Sequence, residues 1–211
     1  MTNRRIPEAV IRRLPKYYTK LCELEAEGIT KISSMQLSKK MDLNASQIRQ
    51  DLNSLGNFGQ QGYGYMVDSL KENLAQILGL FQNRTMVVVG SGNIGAALAH
   101  YSDFETNGFK IVRMFEKEEK FVGKSIRGIK IESVDILEDF LTKHKVDIGV
   151  IAVPANAAQE IADIFTRNGI KAIWNFAPVD IVAHNVVIED VRLNDSLFVL
   201  NYKFMNEIYD Y

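Results

Sequence analysis

Apolar positions along the 211-residue chain follow two rhythms that change near Arg84. Before that point they recur at three- and four-residue steps, the spacing of one face of a helix. Ile11, Leu14, Tyr18, Leu21, Cys22 and Leu24 form such a series over residues 7–27, closed by Gly28. Pro15 opposes a helix interior. The series therefore reads as one helix opening at Pro7 and kinked at Pro15, or as a helix starting near Leu14 with Pro15 in its first turn. Two short helices are expected next. Ser33 and Gln36 have capping-box spacing ahead of Leu37 and Met41, and Asn44 and Gln47 have the analogous spacing ahead of Ile48, Leu52 and Leu55. Only Asp42 and Leu43 lie between them, which requires a sharp turn. Residues 56–65, GNFGQQGYGY, set glycines among aromatic residues and predict a small β-hairpin. A connecting amphipathic helix is expected over 68–80, with Leu70, Leu74, Ile77 and Leu78 on one side.

Beyond Arg84, short β-branched runs alternate with helical stretches. Strands are expected at 86–90, 110–116, 147–154 and 170–176, with helices at 93–103 and 155–168. Strands alternating with helices imply right-handed βαβ units and a parallel sheet. Residues 190–209 also read as helical, but Leu197, Phe198, Val199 and Leu200 are consecutive, more than one amphipathic face requires. That helix must be buried in its own domain or packed on another subunit.

Composition changes this picture little: 46% hydrophobic and 24% charged residues suit a globular protein. The lone Cys22 admits no intramolecular disulfide, and the chain shows neither a membrane-length apolar run nor a signal peptide, so a cytoplasmic location is expected. Charge is more informative. Residues 1–65 carry ten Lys/Arg against six Asp/Glu, whereas the whole chain has a net charge of −1. A basic start on an acidic remainder points to a polyanion met by one end only.

The sharpest chemical motif is GSGNIG, comprising Gly90, Ser91, Gly92, Asn93, Ile94 and Gly95, placed after a strand and before a helix. In that context the glycines permit a tight turn, close approach to a pyrophosphate and close helix–strand packing, while the helix N-terminus offers free N–H groups. Glu116 ends the next expected strand, where its carboxylate can accept from a ribose 2′-hydroxyl and would repel a 2′-phosphate. NAD(H) is favoured over NADP(H), with Lys117 close by. Val153 and Pro154, and then Asn175, Phe176 and Pro178, close two further strands at the edge where such sheets bind ligands. The fold class expected is therefore α/β. A winged-helix (helix-turn-helix) domain over residues 1–83 precedes a Rossmann-like doubly wound parallel sheet over 84–190, followed by a C-terminal helix over 191–211.

In a winged helix the segment 44–55 would enter the major groove of double-stranded DNA. Its outward residues Ser46, Gln47, Arg49 and Gln50 are types that bond base edges and phosphates. Gln60 and Gln61 would form the wing tip, and Arg4, Arg5, Arg12 and Arg13 are candidates for phosphate contact.

The stretches IPEAVIRRLPKYY, ISSMQLSKKM, IRQDLNSLGNFGQQGYGY, GSGNIG, AVPANAAQEIAD and GIKAIWNFAP, in that order, resemble the Rex-type redox-sensing transcriptional repressors of bacteria. The resemblance covers nearly the whole chain. It implies a cytoplasmic homodimer that binds an inverted-repeat operator and senses the NADH/NAD⁺ ratio without turning the nucleotide over, NADH releasing the DNA. It also implies a C-terminal helix exchanged between subunits, with Leu197 or Phe198 as the inserted residue, and a role for Tyr101 in the contacts that differ between ligand states. The chain departs from the family pattern at Gln50 and Gln61, where basic residues are common, at Glu116, where aspartate is usual, and at Ser54–Leu55, where tyrosine–phenylalanine is usual.

Two other readings stand beside it. An NAD-dependent dehydrogenase needs a general acid or base against the nicotinamide, and His100, His144 and His184 fall away from the expected strand ends. A coenzyme A-binding regulator would share the glycine turn. No metal site is expected, because one cysteine and scattered histidines lack ligand spacing.

Overall fold

The structure, a computed structural model, describes residues 6–56 and 64–209, with only the backbone for 207–209. Arg4, Arg5, Gln60 and Gln61 lie outside the described residues. The chain divides into two compact units, Met1–Leu80 and Phe81–Tyr211.

The first unit contains α1 (Glu8–Ile11), α2 (Leu14–Ala26), β1 (Lys31–Ile32), α3 (Ser34–Met41), α4 (Ala45–Leu55), β2 (Tyr65–Met66) and α5 (Val67–Ile77). The single opening helix gives way to the second alternative. Pro15 has no N–H and its ring opposes a helical carbonyl four residues earlier, so the chain breaks at Arg12–Arg13 and restarts with Pro15 in the first turn of α2. The capping box before α3 forms as expected: Ser33 Oγ accepts from the Gln36 amide at 3.1 Å, and Gln36 Oε1 accepts from the Ser33 amide at 2.8 Å. Asn44 also caps α4, accepting from the Ser46 amide at 2.8 Å. The sharp turn rests on Asp42 in the left-handed region, φ 52°. At the end of the expected hairpin, Tyr65–Met66 pairs antiparallel with Lys31–Ile32, a strand the sequence pattern did not announce. Residues 57–63 of that expected hairpin lie outside the described residues. Leu14, Leu21, Leu24, Leu37, Ile48, Leu52, Leu70 and Leu74 form one buried core.

The second unit contains β3 (Arg84–Val89), α6 (Asn93–His100), α7 (Asp103–Thr106), β4 (Phe109–Glu116), β5 (Ser125–Ile126), β6 (Ile129–Ser133), a 3₁₀ turn (Val134–Ile136), α8 (Leu137–Lys143), β7 (Ile148–Ile151), α9 (Ala155–Arg167), β8 (Ala172–Asn175), β9 (Val187–Asp190) and α10 (Leu193–Tyr209). Its sheet runs β5-β6-β4-β3-β7-β8-β9, parallel except for the β5–β6 hairpin. From β3 the chain builds outward through β4 and β6, then returns to build outward the other way through β7, β8 and β9. The reversal falls between β3 and β7, the place where doubly wound sheets open a ligand crevice. α8 and α9 cover one face, burying Val87, Val89, Phe115, Ile151, Ile161 and Phe165 together. On the other face a groove of about 320 Å³ remains open, lined by Met86, Phe104, Phe109, Ile148, Trp174 and Val187 among others.

Two features of this unit bear on function. Parallel strands are usually joined through a helix, yet β8 reaches β9 through residues 176–186 without one. Side chains hold that crossover instead: Gln159 on α9 donates to the Val182 carbonyl at 2.9 Å and accepts from its amide at 3.0 Å. The terminal helix starts at Leu193 rather than near 190, because β9 keeps Val187–Asp190 in the sheet. Along α10 every large apolar side chain from Leu193 to Met205 is 44–70% exposed. A helix this apolar on all sides is the mark of an interface.

One buried polar knot fixes the first unit. Asp51 on α4 is fully buried, and its carboxylate accepts from Arg13 Nε at 2.6 Å, Arg13 Nη2 at 2.8 Å, Tyr17 Oη at 2.7 Å and Gln47 Nε2 at 2.8 Å. Burial pushes the Asp51 pKa up, but the hydrogen bonds from Arg13, Tyr17 and Gln47 outweigh it and hold the carboxyl below its ordinary range. The carboxyl is therefore more acidic folded than unfolded. Its stabilisation is present above the unfolded pKa of ~3.9 and is lost as pH falls through the lower folded value. Asp51→Ala should cost roughly 2–4 kcal/mol, somewhat under a fully buried pair because Arg13 stays partly solvated. Asp51→Asn should flatten the acid limb of the stability profile; denaturant melts of wild type and variant across the acid range check both.

Candidate functional site

At the reversal point the glycine turn has two kinds of glycine. Gly90 has φ 101°, and a Cβ there would lie 2.4 Å from the Ala152 carbonyl oxygen. A Cβ on Gly95 would lie 1.9 Å from the Gly90 carbonyl oxygen. Both are demanded by the fold itself, which packs α6 onto the turn and the turn onto β7. Gly92 differs: it has ordinary backbone angles at the N-cap of α6, and a Cβ on it would meet nothing within 4 Å. Among the described residues nothing requires glycine there; a ligand approaching the backbone would. The N-terminus of α6 has no side-chain cap, so its first N–H groups remain available to an anion.

Beside the turn lies a cavity of about 480 Å³, within the range of small-molecule sites. Gly90, Glu116, Lys117, Val153 and Pro154 line it, as the sequence pattern anticipated, together with Val134, Ala157 and Ile161, which it missed. Val134 was illegible because the short β6 and its following turn carry no distinct periodicity. Ser91 is buried beside the cavity, while Asn93 and Ile94 form the first turn of α6.

Glu116 is engaged more closely than expected. Its Oε2 accepts from the Ser91 amide at 2.7 Å and the Ser91 hydroxyl at 2.8 Å, and its Oε1 accepts from the amides of Lys117 at 2.7 Å and Glu118 at 3.1 Å. Burial raises its pKa, but those bonds from Ser91, Glu118 and Lys117 prevail and keep the carboxyl below its usual range. It is an anion at neutral pH. Asp135, Glu138 and Glu160 also line the cavity, so its described lining holds one cation, Lys117, against four carboxylates, with Arg167 3.5 Å from Glu138 outside it.

Other expected nucleotide residues are not gathered here. The side chain of Asn175 is buried and turned into its own loop: Nδ2 donates to the Val179 carbonyl at 2.9 Å and Asp190 Oδ1 at 2.7 Å, and Oδ1 accepts from the Ala177 amide at 3.0 Å. Phe176 packs edge-on against Trp174, centroids 4.6 Å apart, and Pro178 stands in the crossover loop. Tyr101 caps the far end of α6, its ring 4.8 Å from that of Phe104, and lines a separate cleft with Phe109 and Arg127. An eight-residue helix rises about 12 Å, which sets Tyr101 apart from the turn.

In the first unit, Ser46, Arg49 and Gln50 are exposed on α4. Arg49 Nη1 donates to Ser34 Oγ at 3.1 Å. Gln47 is half-buried, and it neither reaches back to cap α4 nor points outward, because Asp51 takes its amide. Arg12 is exposed and pairs with Glu8 at 3.1 Å. Arg13, expected at a phosphate, is half-buried and binds Asp51 through Nε and Nη2. The signal for Asp51 was present, since it lies three residues after Ile48 on the face that carries Leu52 into the core. No group of three or more metal-ligating side chains occurs among the described residues, and no described helix is long and apolar enough to cross a membrane.

A helix-turn-helix unit followed by a dinucleotide-type crevice defines the class of ligand-responsive DNA-binding regulators. Comparison with known proteins narrows the class. Residues 5–53 match the family model "Putative DNA-binding protein N-terminus" and residues 81–179 match "CoA binding domain". A redox-sensing transcriptional repressor Rex of Caldicellulosiruptor bescii is 53% identical over 94% of this chain and 92% of its own length, and that of Clostridium tetani is 49% identical over 97% of each. Among solved structures, RSP in complex with beta-NAD⁺ and operator DNA matches with a TM-score of 0.89 at 46% identity, covering 96% of this chain and 94% of that one. RSP in complex with beta-NADH matches at 0.87 and 44%, covering 96% and 95%. The chain belongs to the Rex family of redox-sensing transcriptional repressors.

The two kinds of glycine should separate in experiment. Gly92→Val should keep the fold, costing about 1 kcal/mol through the poorer N-cap, yet lose dinucleotide binding. Gly95→Ala should lose stability as well as binding. Thermal melts and calorimetric titration of both variants check this; full NADH affinity in Gly92→Val would place the nucleotide elsewhere.

Proposed function

We propose that this protein is a repressor that binds an inverted-repeat operator as a homodimer and leaves it when NADH occupies the crevice. The observation that carries the reading is likeness over nearly the whole chain to RSP, whose structures hold NAD⁺ with operator DNA in one case and NADH in another. The adenosine half of the nucleotide lies in the cavity beside Val153, Pro154 and Ala157. Its pyrophosphate meets Gly92, Asn93 and Ile94 at the N-terminus of α6. A carboxylate offers about four acceptor sites, and those of Glu116 are all taken, so the ribose hydroxyl replaces the one donor able to rotate away, the Ser91 hydroxyl. The nicotinamide end reaches toward Phe176 and Pro178.

On the DNA side, Ser46, Arg49 and Gln50 read the major groove and Arg12 meets phosphate; Arg4, Arg5, Gln60 and Gln61 complete the contact. Glutamine at 50 and 61 removes two cations relative to the family pattern, which predicts a shallower salt dependence. The apolar α10 is the dimer helix and seats on the partner, with Leu197 or Phe198 entering its nicotinamide side. Tyr101, far from the turn of its own chain, belongs to that intersubunit contact. The setting is cytoplasmic, where both operator and the NADH pool are found. Relatives that span both units are named as repressors, which favours a sensor over a dehydrogenase or a coenzyme A-binding regulator.

Four outcomes follow. Calorimetry should find NADH bound more tightly than NADPH, because a 2′-phosphate enters a ring of carboxylates; equal affinities would defeat the role given to Glu116. Anisotropy titration on an inverted-repeat operator should show saturating NADH weakening binding by ~5–150-fold relative to NAD⁺, the range of ordinary allosteric coupling. In that titration Arg49→Ala should weaken operator binding by about 1–3 kcal/mol while NADH affinity without DNA stays unchanged. Truncation after Asp190 should yield a monomer or an unstable chain by light scattering, and an intact, well-folded dimer would refute the role of α10.

A further inference from the structure

The helix-free crossover from β8 to β9 is tied to the root of α10 by a single side chain. Arg192 stands one residue before α10 and is 22% exposed. Its Nη1 donates to the Ala177 carbonyl, and its Nη2 donates to Asp180 Oδ1 at 2.8 Å and lies 3.5 Å from Asp190 Oδ1. Asp180 is almost fully exposed, so that contact adds little. The buried Ala177 carbonyl, with Asp190 beside it at 35% side-chain exposure, carries the link. Asp190 in turn accepts from Asn175 at 2.7 Å, and Asn175 also holds the Val179 carbonyl and the Ala177 amide. Loop, strand end and helix root thus share one bonded cluster. Phe176, whose backbone lies inside that cluster, packs on Trp174 at 4.6 Å.

We propose that Arg192 is a positioning residue for signalling: it makes the crossover loop and α10 move as one body, so that a change at the nicotinamide end of the crevice reaches the dimer helix. The inference rests on the reading that NADH acts at this crevice and that α10 joins the dimer. A loop without a helix has no rigid element of its own to transmit a shift, and two hydrogen bonds with an ion pair supply one. Arginine suits the task, because its planar fork holds a carbonyl and a carboxylate at once, whereas a lysine ammonium is a point charge. Coupling of this kind requires an element with two arrangements that both sites bias, and the loop–helix body is that element.

The test compares coupling ratios, operator affinity with NAD⁺ over operator affinity with NADH, for wild type, Arg192→Ala, Arg192→Lys and Asp190→Asn. A wild-type ratio of one defeats the repressor reading itself, separately from this inference. Given wild-type coupling, Arg192→Ala should remain dimeric and bind NADH, and operator without NADH, within about threefold of wild type, a shift under 1 kcal/mol. Its coupling ratio should fall to near one. Arg192→Lys should recover part of the ratio, since it satisfies one anchor. Asp190→Asn keeps an acceptor for Asn175 but removes the ion pair, and gives the same reading should Arg192→Ala fail to fold. A wild-type ratio in either folded variant would overturn the proposal. So would loss of NADH binding in proportion to loss of coupling, which would make Arg192 part of the ligand site.

Discussion

The second unit depends on one close approach: the backbone at Gly90 passes so near the Ala152 carbonyl that a single added carbon would lie 2.4 Å from it. That approach brings the end of β3 against the end of β7 at the place where the sheet reverses its direction of growth. Gly95 seats α6 on the turn, with no space for a side chain between them. The N-terminus of α6 is thereby aimed across the crevice, and Gly92 is left bare beside it. The fold requires glycine at Gly90 and Gly95, whereas Gly92 between them is uncrowded and would serve the proposed ligand at the uncapped N-terminus of α6.

Buried polar groups do comparable work at three places, and each sets the geometry of a surface. Asp51 ties α2 to α4 and so fixes which residues of α4 face outward. Glu116 closes on Ser91 and holds the turn in shape through four donors, staying charged as it does so. Asn175 and Arg192 hold a crossover that lacks the customary helix. In each case the cost of desolvating a polar group is offset by hydrogen bonding, and the result is a fixed surface as well as added stability.

Much of this was legible in the sequence. The change of rhythm at Arg84 separated a helical unit from an alternating one, and GSGNIG with Glu116 located the crevice, because those signals are local and periodic. Contacts made only on folding were not legible: Arg13 bonds Asp51, 38 positions away, and Asn175 bonds Ala177, Val179 and Asp190 around its own loop. Gln47 had capping spacing, but it donates through Nε2 to Asp51 instead of accepting from the Asn44 amide. β1, β5, β6 and β9 escaped notice because strands of two to five residues show too little alternation to stand out. The exposed apolar α10 was visible early, since four consecutive apolar residues exceed what one helix face can bury.

The account's central claim is that nucleotide and operator oppose each other through one conformational equilibrium. Linkage then makes the opposition mutual: whatever factor NADH takes from operator affinity, operator must take from NADH affinity. The direct measurement is NADH affinity, read from quenching of Trp174 or from calorimetry, with and without saturating inverted-repeat operator. The account predicts NADH binding weakened by operator, by the factor found for operator release. NADH affinity unchanged by saturating operator would contradict it.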